Sequence, residues 1–304
     1  MKKWKNLFLN ETGSSLILMA LSMIGILIAA GIAIDGGTIY MTKSELQKVA
    51  NASVLSGAQE LSNNDARVSE IVSEVVSKHG DDIKIVNMQI DINSKVSIKL
   101  EKEVNLSFMK IIGKEKATVD ADAAAELGIM GRATGAVPLG IDESISLEYY
   151  KEYKLKVDSS GVEYGNFGVL ALGEVGAKTY EYNLRYGYDK ELKVGDVIVT
   201  QTGNVAGKTK SVIDERVNGC YENPRDVNVR NCSRVVLIPV YTPEKIDQNQ
   251  LKQVKIKGFA YFYITDPMTS TDTSITGIFI KRTGTGFEEP NASDRGAFSI
   301  RLTE

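Results

Sequence analysis

Residues 16–34 read LILMALSMIGILIAAGIAI, and no charged residue occurs from Thr12 to Ile34. At 1.5 Å per residue, such a run as a helix is about 35 Å long, more than a hydrocarbon core of about 30 Å. The reading is one transmembrane helix over residues 12–35, preceded by a cytoplasmic tail, residues 1–11. Lys2, Lys3 and Lys5 lie before the run, Asp35 closes it, and the next positive charges are Lys43 and Lys48. The positive-inside rule then puts the N-terminus in the cytoplasm and the bulk of the chain outside, a single-pass protein of the cell membrane. A cleaved signal peptide has an apolar region of about 7–15 residues before an A-x-A-like site. Here the run is longer and Asp35-Gly36-Gly37 follows it. A buried core helix is the other alternative, and it rarely stays uncharged for so long. Gly25 and Gly31 are not spaced as a GxxxG face.

The helical pattern continues from Tyr40 to Leu61. Leu46, Val49, Ala50, Ser53, Gly57 and Leu61 recur at helical spacing, and Ala50, Ala52, Ser53, Ser56, Gly57 and Ala58 are small. Small residues let backbones approach closely. The partner of this face is either another helix in an assembly or the protein's own outer domain, since the packing physics is the same in both.

Several features of residues 11–61 now combine. Gly13-Ser14 precedes the apolar run, and Ala33-Ile34-Asp35 ends it. Tyr40, Leu46-Gln47, Ala50-Asn51-Ala52 and Ser56-Gly57-Ala58 follow. This segment resembles the N-terminal module of TadG-like Flp pilus assembly proteins. The resemblance implies a role in tight-adherence pili or related envelope machinery, with other pilus or envelope proteins and other copies of the chain as partners. It marks Gly13, Asp35, Tyr40, Leu46, Gln47, Ala50 and Gly57 as residues of the membrane and assembly helix. Pseudopilins of the same systems are cut after a glycine with glutamate five residues on. The residue five after Gly13 is Leu18, a departure from that pattern.

Composition narrows the chemistry. The chain has 304 residues, room for about two domains, with 43% hydrophobic and 25% charged residues. The net charge of -3 argues against a nucleic-acid partner. One histidine, His79, and two cysteines leave little for a zinc site or a histidine-dependent triad. No catalytic residue, metal ligand or cofactor is therefore assigned, and the protein is read as a non-enzyme.

The fold class expected is α+β, in three parts: the membrane helix, a small α/β module and a larger β-rich C-terminal domain. The small module completes residues 36–129. Ser62-Asn63-Asn64-Asp65 supplies helix caps, and Val68, Ile71, Val72, Val75, Val76 and His79 make one stripe ended by Gly80. His79 is read as a satisfied structural histidine. A hairpin follows, Met88/Ile90/Ile92 and Val96/Ile98/Leu100 around Asn93-Ser94. Residues 106–112 form a short amphipathic segment. Val119, Ala121, Ala123 and Ala125 then mark a strand whose Asp120 and Asp122 face solvent rather than a calcium ion.

Residues 128–135, GIMGRATG, are a candidate boundary. The β-rich domain, 135–304, has strand patterns at 147–157, 167–172, 194–200, 235–241, 254–264 and 275–280, and helix patterns at 177–186 and 205–217. Outside the cell, Cys220 and Cys232 are best read as a disulfide, with free thiols or half a metal site as alternatives.

Three strings imitate functional motifs. Residues 203–209, GNVAGKT, have one residue too few between the glycines for a phosphate loop. Asp142-Glu143-Ser144-Ile145-Ser146 has the start of a von Willebrand A metal site, a domain larger family members carry, but a β pattern follows it. Glu288-Glu289, Asp266 and Asp272 are loop acids. Two alternatives to an assembly role stay open: an extracytoplasmic hydrolase using two carboxylates, and a ligand-binding or adhesin surface around Phe259–Tyr263.

Overall fold

The computed structural model describes residues 11–156, 167–201, 205–220, 226–227, 229, 231–247, 250–269 and 272–303. Lys2, Lys3 and Lys5, Val157, and Gly203 and Asn204 of the phosphate-loop-like string lie outside them. The chain is α+β: the described residues form one long helix, three short ones and two curled sheets. The elements run α1 Glu11–Ala58, α2 Asp65–His79, β1 Ile83–Asp91, β2 Lys95–Asn105, a 3₁₀ turn Met109–Ile112 and β3 Lys116–Ala133. There follow β4 Leu139–Asp142, β5 Glu152–Lys156, β6 Phe167–Val169, α3 Ala177–Tyr186, β7 Leu192–Lys193, β8 Val197–Val199 and α4 Ala206–Asn218. The chain ends with β9 Val235–Asp247, β10 Gln250–Ile264, β11 Ser274–Ile280, β12 Arg282–Thr283, β13 Phe287–Glu288 and β14 Ala297–Thr303.

Helix α1 absorbs both the apolar run and the small-residue segment without a break. At 1.5 Å per residue it is about 72 Å long. Its C-terminal part lies on the first sheet, ordered β1-β2-β3-β14-β12, with β7 and β13 also on β3. Antiparallel pairing of β2 with β3 runs from Lys95–Glu126 to Asn105–Lys116. Helix α2 starts with Asn64, whose side chain accepts the Arg67 N–H at 2.9 Å, and buries Val68, Val72 and Val76 against α1. His79 is exposed at the helix end, with Nδ1 2.8 Å from the Val75 carbonyl. The apolar stripe therefore ends one turn earlier than the sequence pattern implies.

The second sheet is ordered β5-β11-β10-β9-β4-β6, with β8 on β10. Helices α3 and α4 cover one face, burying Tyr180, Leu184, Val212 and Ile213 with Ile238, Phe262 and Phe279. Arg216 of α4 donates to the carbonyls of Leu184, Arg185 and Ser233 at 2.7–3.0 Å. This closes the C-terminal end of α3, and burial pushes the guanidinium down to about 10. Cys220 and Cys232 are joined as a disulfide directly after α4.

Two local readings change. Residues 128–133 of the glycine-rich boundary candidate are strand, because β3 runs on through them and pairs with β14, β13 and β7. Gly128 and Gly131 lie beneath Glu288 and Glu289, where a side chain would collide. At Gly131 this is close approach of backbones, with the Glu289 nitrogen 2.9 Å from the β-carbon position, whereas at Gly128 the neighbour is the Glu288 side chain. The strand pattern at 147–157 starts only at Glu152, since Tyr150 takes a left-handed turn at φ 65°. At the far end, β14 brings residues 297–303 back to the first sheet, pairing Phe298–Ile129 through Thr303–Ala124.

Candidate functional site

The site best defined by the residues is the junction where α1 leaves its apolar half and meets the folded domain. Residues 15–30 are all exposed, about 24 Å of helix presenting Leu, Ile and Met on every side. A helix apolar all round is stable only inside a protein core or in lipid. No protein covers this half among the described residues, and it is long and apolar enough to cross a membrane.

The environment changes at Gly31. The β2–β3 loop comes up to the helix there, and a β-carbon on Gly31 would sit 2.7 Å from Phe108 Cβ. One turn later Asp35 is 2% exposed. Its carboxylate accepts three backbone N–H groups: Ser107 at 2.9 Å, Phe108 at 2.9 Å and Met109 at 2.7 Å. These donors open the 3₁₀ turn Met109–Ile112. Such N–H groups have no partner within their own turn, and a carboxylate satisfies them best. The residue that ends the apolar run thus caps a loop more than 70 positions away.

Further along, one stripe of α1 seats on the domain. Leu46, Val49, Ala50, Ser53, Val54 and Ala58 are buried on α2, β2 and β3. A β-carbon on Gly57 would lie 2.5 Å from Val72 Cγ2, so only glycine lets α1 and α2 approach this closely. Beside the stripe, Gln47 donates to the Asp122 carbonyl at 2.7 Å and to Asn51 at 3.1 Å. The Lys43 ammonium donates to the Asp120 carbonyl. Asp120 and Asp122 therefore serve the helix through their backbone, and the Asp120 side chain faces Lys43 and Lys99 at 4.0 and 3.8 Å.

The structure thus brings Asp35, Leu46, Gln47, Ala50 and Gly57 into one intramolecular seat. Of the two packing partners open to the small-residue face, the protein's own domain is the one that covers it. Tyr40 stands apart, 75% exposed on the free side of α1, and Gly13 belongs to its first turns. The sequence marks Asp35 as the end of the run and, through the resemblance, as a residue of the assembly helix. Its capping role was hidden because the capped turn carries no pattern of its own.

The motif-like strings resolve into local structure. Asp142 Oδ1 accepts the Ser144 N–H at 2.8 Å, turning the chain after β4. Glu289 lies 3.2 Å from Arg132, Glu288 3.6 Å from Arg301, and Asp272 3.0 Å from Lys154. The Ser274 hydroxyl and then Lys154 hold the Asp272 carboxyl down to about 2. A cleft of about 340 Å³ opens at the end of α1, lined by Gln59, Glu60, Tyr150, Lys281 and Arg282 among others. Glu60 is the one carboxylate among its described lining residues, where glycoside cleavage uses two. Phe259, Phe262 and Tyr263 are buried at 1%, 0% and 1% exposure, so the aromatic strand is core and not a binding surface.

Comparison with curated proteins and with solved structures returned no match to this chain. One family model does match, over the segment that forms the junction: residues 13–60 correspond to the family described as putative Flp pilus-assembly, TadE/G-like.

Proposed function

We propose that this protein is a membrane-anchored component of a Tad/Flp-type pilus-assembly or secretion apparatus, working by protein–protein contact rather than by catalysis. The observation that carries the reading is that the family match and the junction coincide. Residues 13–60 contain the exposed apolar half of α1, the Asp35 cap and the Leu46–Gly57 seat. The apolar half holds the chain in lipid, and the seat fixes the outer domain to that anchor without a flexible hinge. With Lys2, Lys3 and Lys5 cytoplasmic, residues 36–304 lie outside the cell membrane. A disulfide suits that compartment.

Because the small-residue stripe is consumed by the protein's own domain, partner contacts fall to other surfaces. These are the lipid-level face of α1, its free side around Tyr40, and the outer β-rich part. Pilus or envelope proteins and further copies of the chain are the partners of that surface. Crosslinking in intact membranes, followed by purification of the tagged chain, tests this. Recovery of pilus-machinery proteins is the expected result. Recovery of none, with the protein correctly in the membrane, contradicts the assembly role.

A further inference from the structure

The tip of the β2–β3 hairpin carries an apolar surface that the junction does not use. Ile111 is 84% exposed and Ile112 75%, as bare as the residues of the apolar span itself, where Leu16 is 71% and Met19 73%. An aliphatic pair this exposed on a tight turn is unusual in a water-facing loop. The turn is firmly built. Leu106 N–H donates to Glu115 at 2.8 Å, Lys114 N–H to Met109 at 3.1 Å, and Gly113 closes it at φ 86°.

Its height along α1 is fixed as well. Phe108 rests on Gly31, and the three N–H groups at Asp35 hold the turn one helical step further on. Gly31 lies inside the uncharged run that ends at Ile34. A loop locked beside Gly31 is therefore level with the last turn of the lipid-spanning segment. Lys110 and Lys114 flank the two isoleucines and are exposed. Apolar side chains between lysines at the edge of a span are what the headgroup–acyl boundary of a bilayer accommodates.

We infer that the β2–β3 tip is a second membrane contact. Ile111 and Ile112 enter the boundary of the leaflet facing the folded domain, and Lys110 and Lys114 meet lipid phosphates. With α1 crossing the bilayer and the tip resting on it, the domain is held at two points and its tilt is fixed. This inference rests on the proposed membrane anchoring of α1, and the test separates the two.

The full chain is reconstituted into vesicles of phosphatidylcholine and phosphatidylglycerol in equal amounts. An environment-sensitive fluorophore is attached at a single introduced cysteine: Ile111→Cys, Ile112→Cys, Leu21→Cys in the span, or Tyr182→Cys as a solvent control. Native Cys220 and Cys232 are bonded to each other and do not compete. A side chain seated about 5–10 Å into the boundary should give blue-shifted emission at 111 and 112, quenched roughly twofold by nitroxide-labelled lipid. Tyr182, 56% exposed, should show neither effect. Quenching at 21 with water-like emission at 111 and 112 overturns the second contact alone. Blue-shifted emission at 111 and 112 without lipid quenching overturns it too, in favour of a protein partner. Absence of quenching at 21 overturns the anchor, and with it the second contact.

Discussion

The two halves of α1 share one backbone and differ in everything that surrounds it. Residues 15–30 bury nothing, whereas from Gly31 onward every third or fourth residue is buried or half-buried: Gly31, Asp35, Ile39, Thr42, Leu46, Ala50, Ser53 and Gly57. The first half is uniformly apolar, which needs an apolar solvent on all sides. The second is small and apolar on one face and polar on the other, which needs a single protein surface. The contrast shows that helical spacing alone does not assign a partner. The residues between stripe positions do, through their exposure cost in water.

Substitutions can break or sharpen this contrast. The largest effect is expected at Leu46, where Leu46→Ala should destabilise the domain by about 2–5 kcal/mol in chemical unfolding of the reconstituted protein. The same truncation at Leu21 should leave domain stability within about 0.5 kcal/mol, since Leu21 is 62% exposed and belongs to no core cluster among the described residues. Equal effects at both positions would erase the distinction between the halves. Replacing Cys220 and Cys232 by serine should cost roughly 3 kcal/mol, set by a loop of about this size. Its unfolding signature belongs to the second sheet and should leave exchange of the α1 seat unchanged until global unfolding.

Gly57→Val should cost about 1–3 kcal/mol through collision with Val72, and adding Val72→Ala should recover part of it. If Gly57 faced a different chain, the second substitution would only add to the loss. At the point where the halves meet, Asp35→Ala should raise amide exchange at Ser107, Phe108 and Met109, with Asp35→Asn intermediate because it keeps one acceptor oxygen. Unchanged protection in both variants would remove Asp35 from the junction.

The smallest effect is electrostatic and far from the helix. Asp272, held down to about 2 from 3.8, is a depressed carboxylate. Its contribution is complete above 3.8 and is lost as pH falls through about 2. Asp272→Asn should therefore flatten the acid side of the stability profile in that window and leave the neutral side unaltered. A profile identical to the parent protein's would show the Lys154 and Ser274 contacts to be energetically silent.

Much of this architecture was legible in the residues. The uncharged run, the period of Leu46, Val49, Ala50, Ser53 and Gly57, and the capped α2 helix are local signals. They appear where periodicity and caps put them. The parts that were hidden depend on distant pairings. The surface covering the stripe of α1 is made by α2, β2 and β3. The N–H groups capped by Asp35 come from residues 107–109, and β14 joins β3 across some 170 positions. Nothing local records such contacts. The glycines of 128–135 are ambiguous for a related reason: glycine at a boundary and glycine under a neighbouring strand look alike until that strand is in place.

The most direct test of the account is cysteine accessibility along α1 in native membranes, using a membrane-impermeant maleimide from the outer face. The account predicts no labelling at Leu18, Leu21 or Ile28, strong labelling at Tyr40, and labelling at Ala50 only after denaturation. Ready labelling at 18, 21 and 28 in the folded, membrane-associated protein would contradict it, because the apolar half would then stand in water.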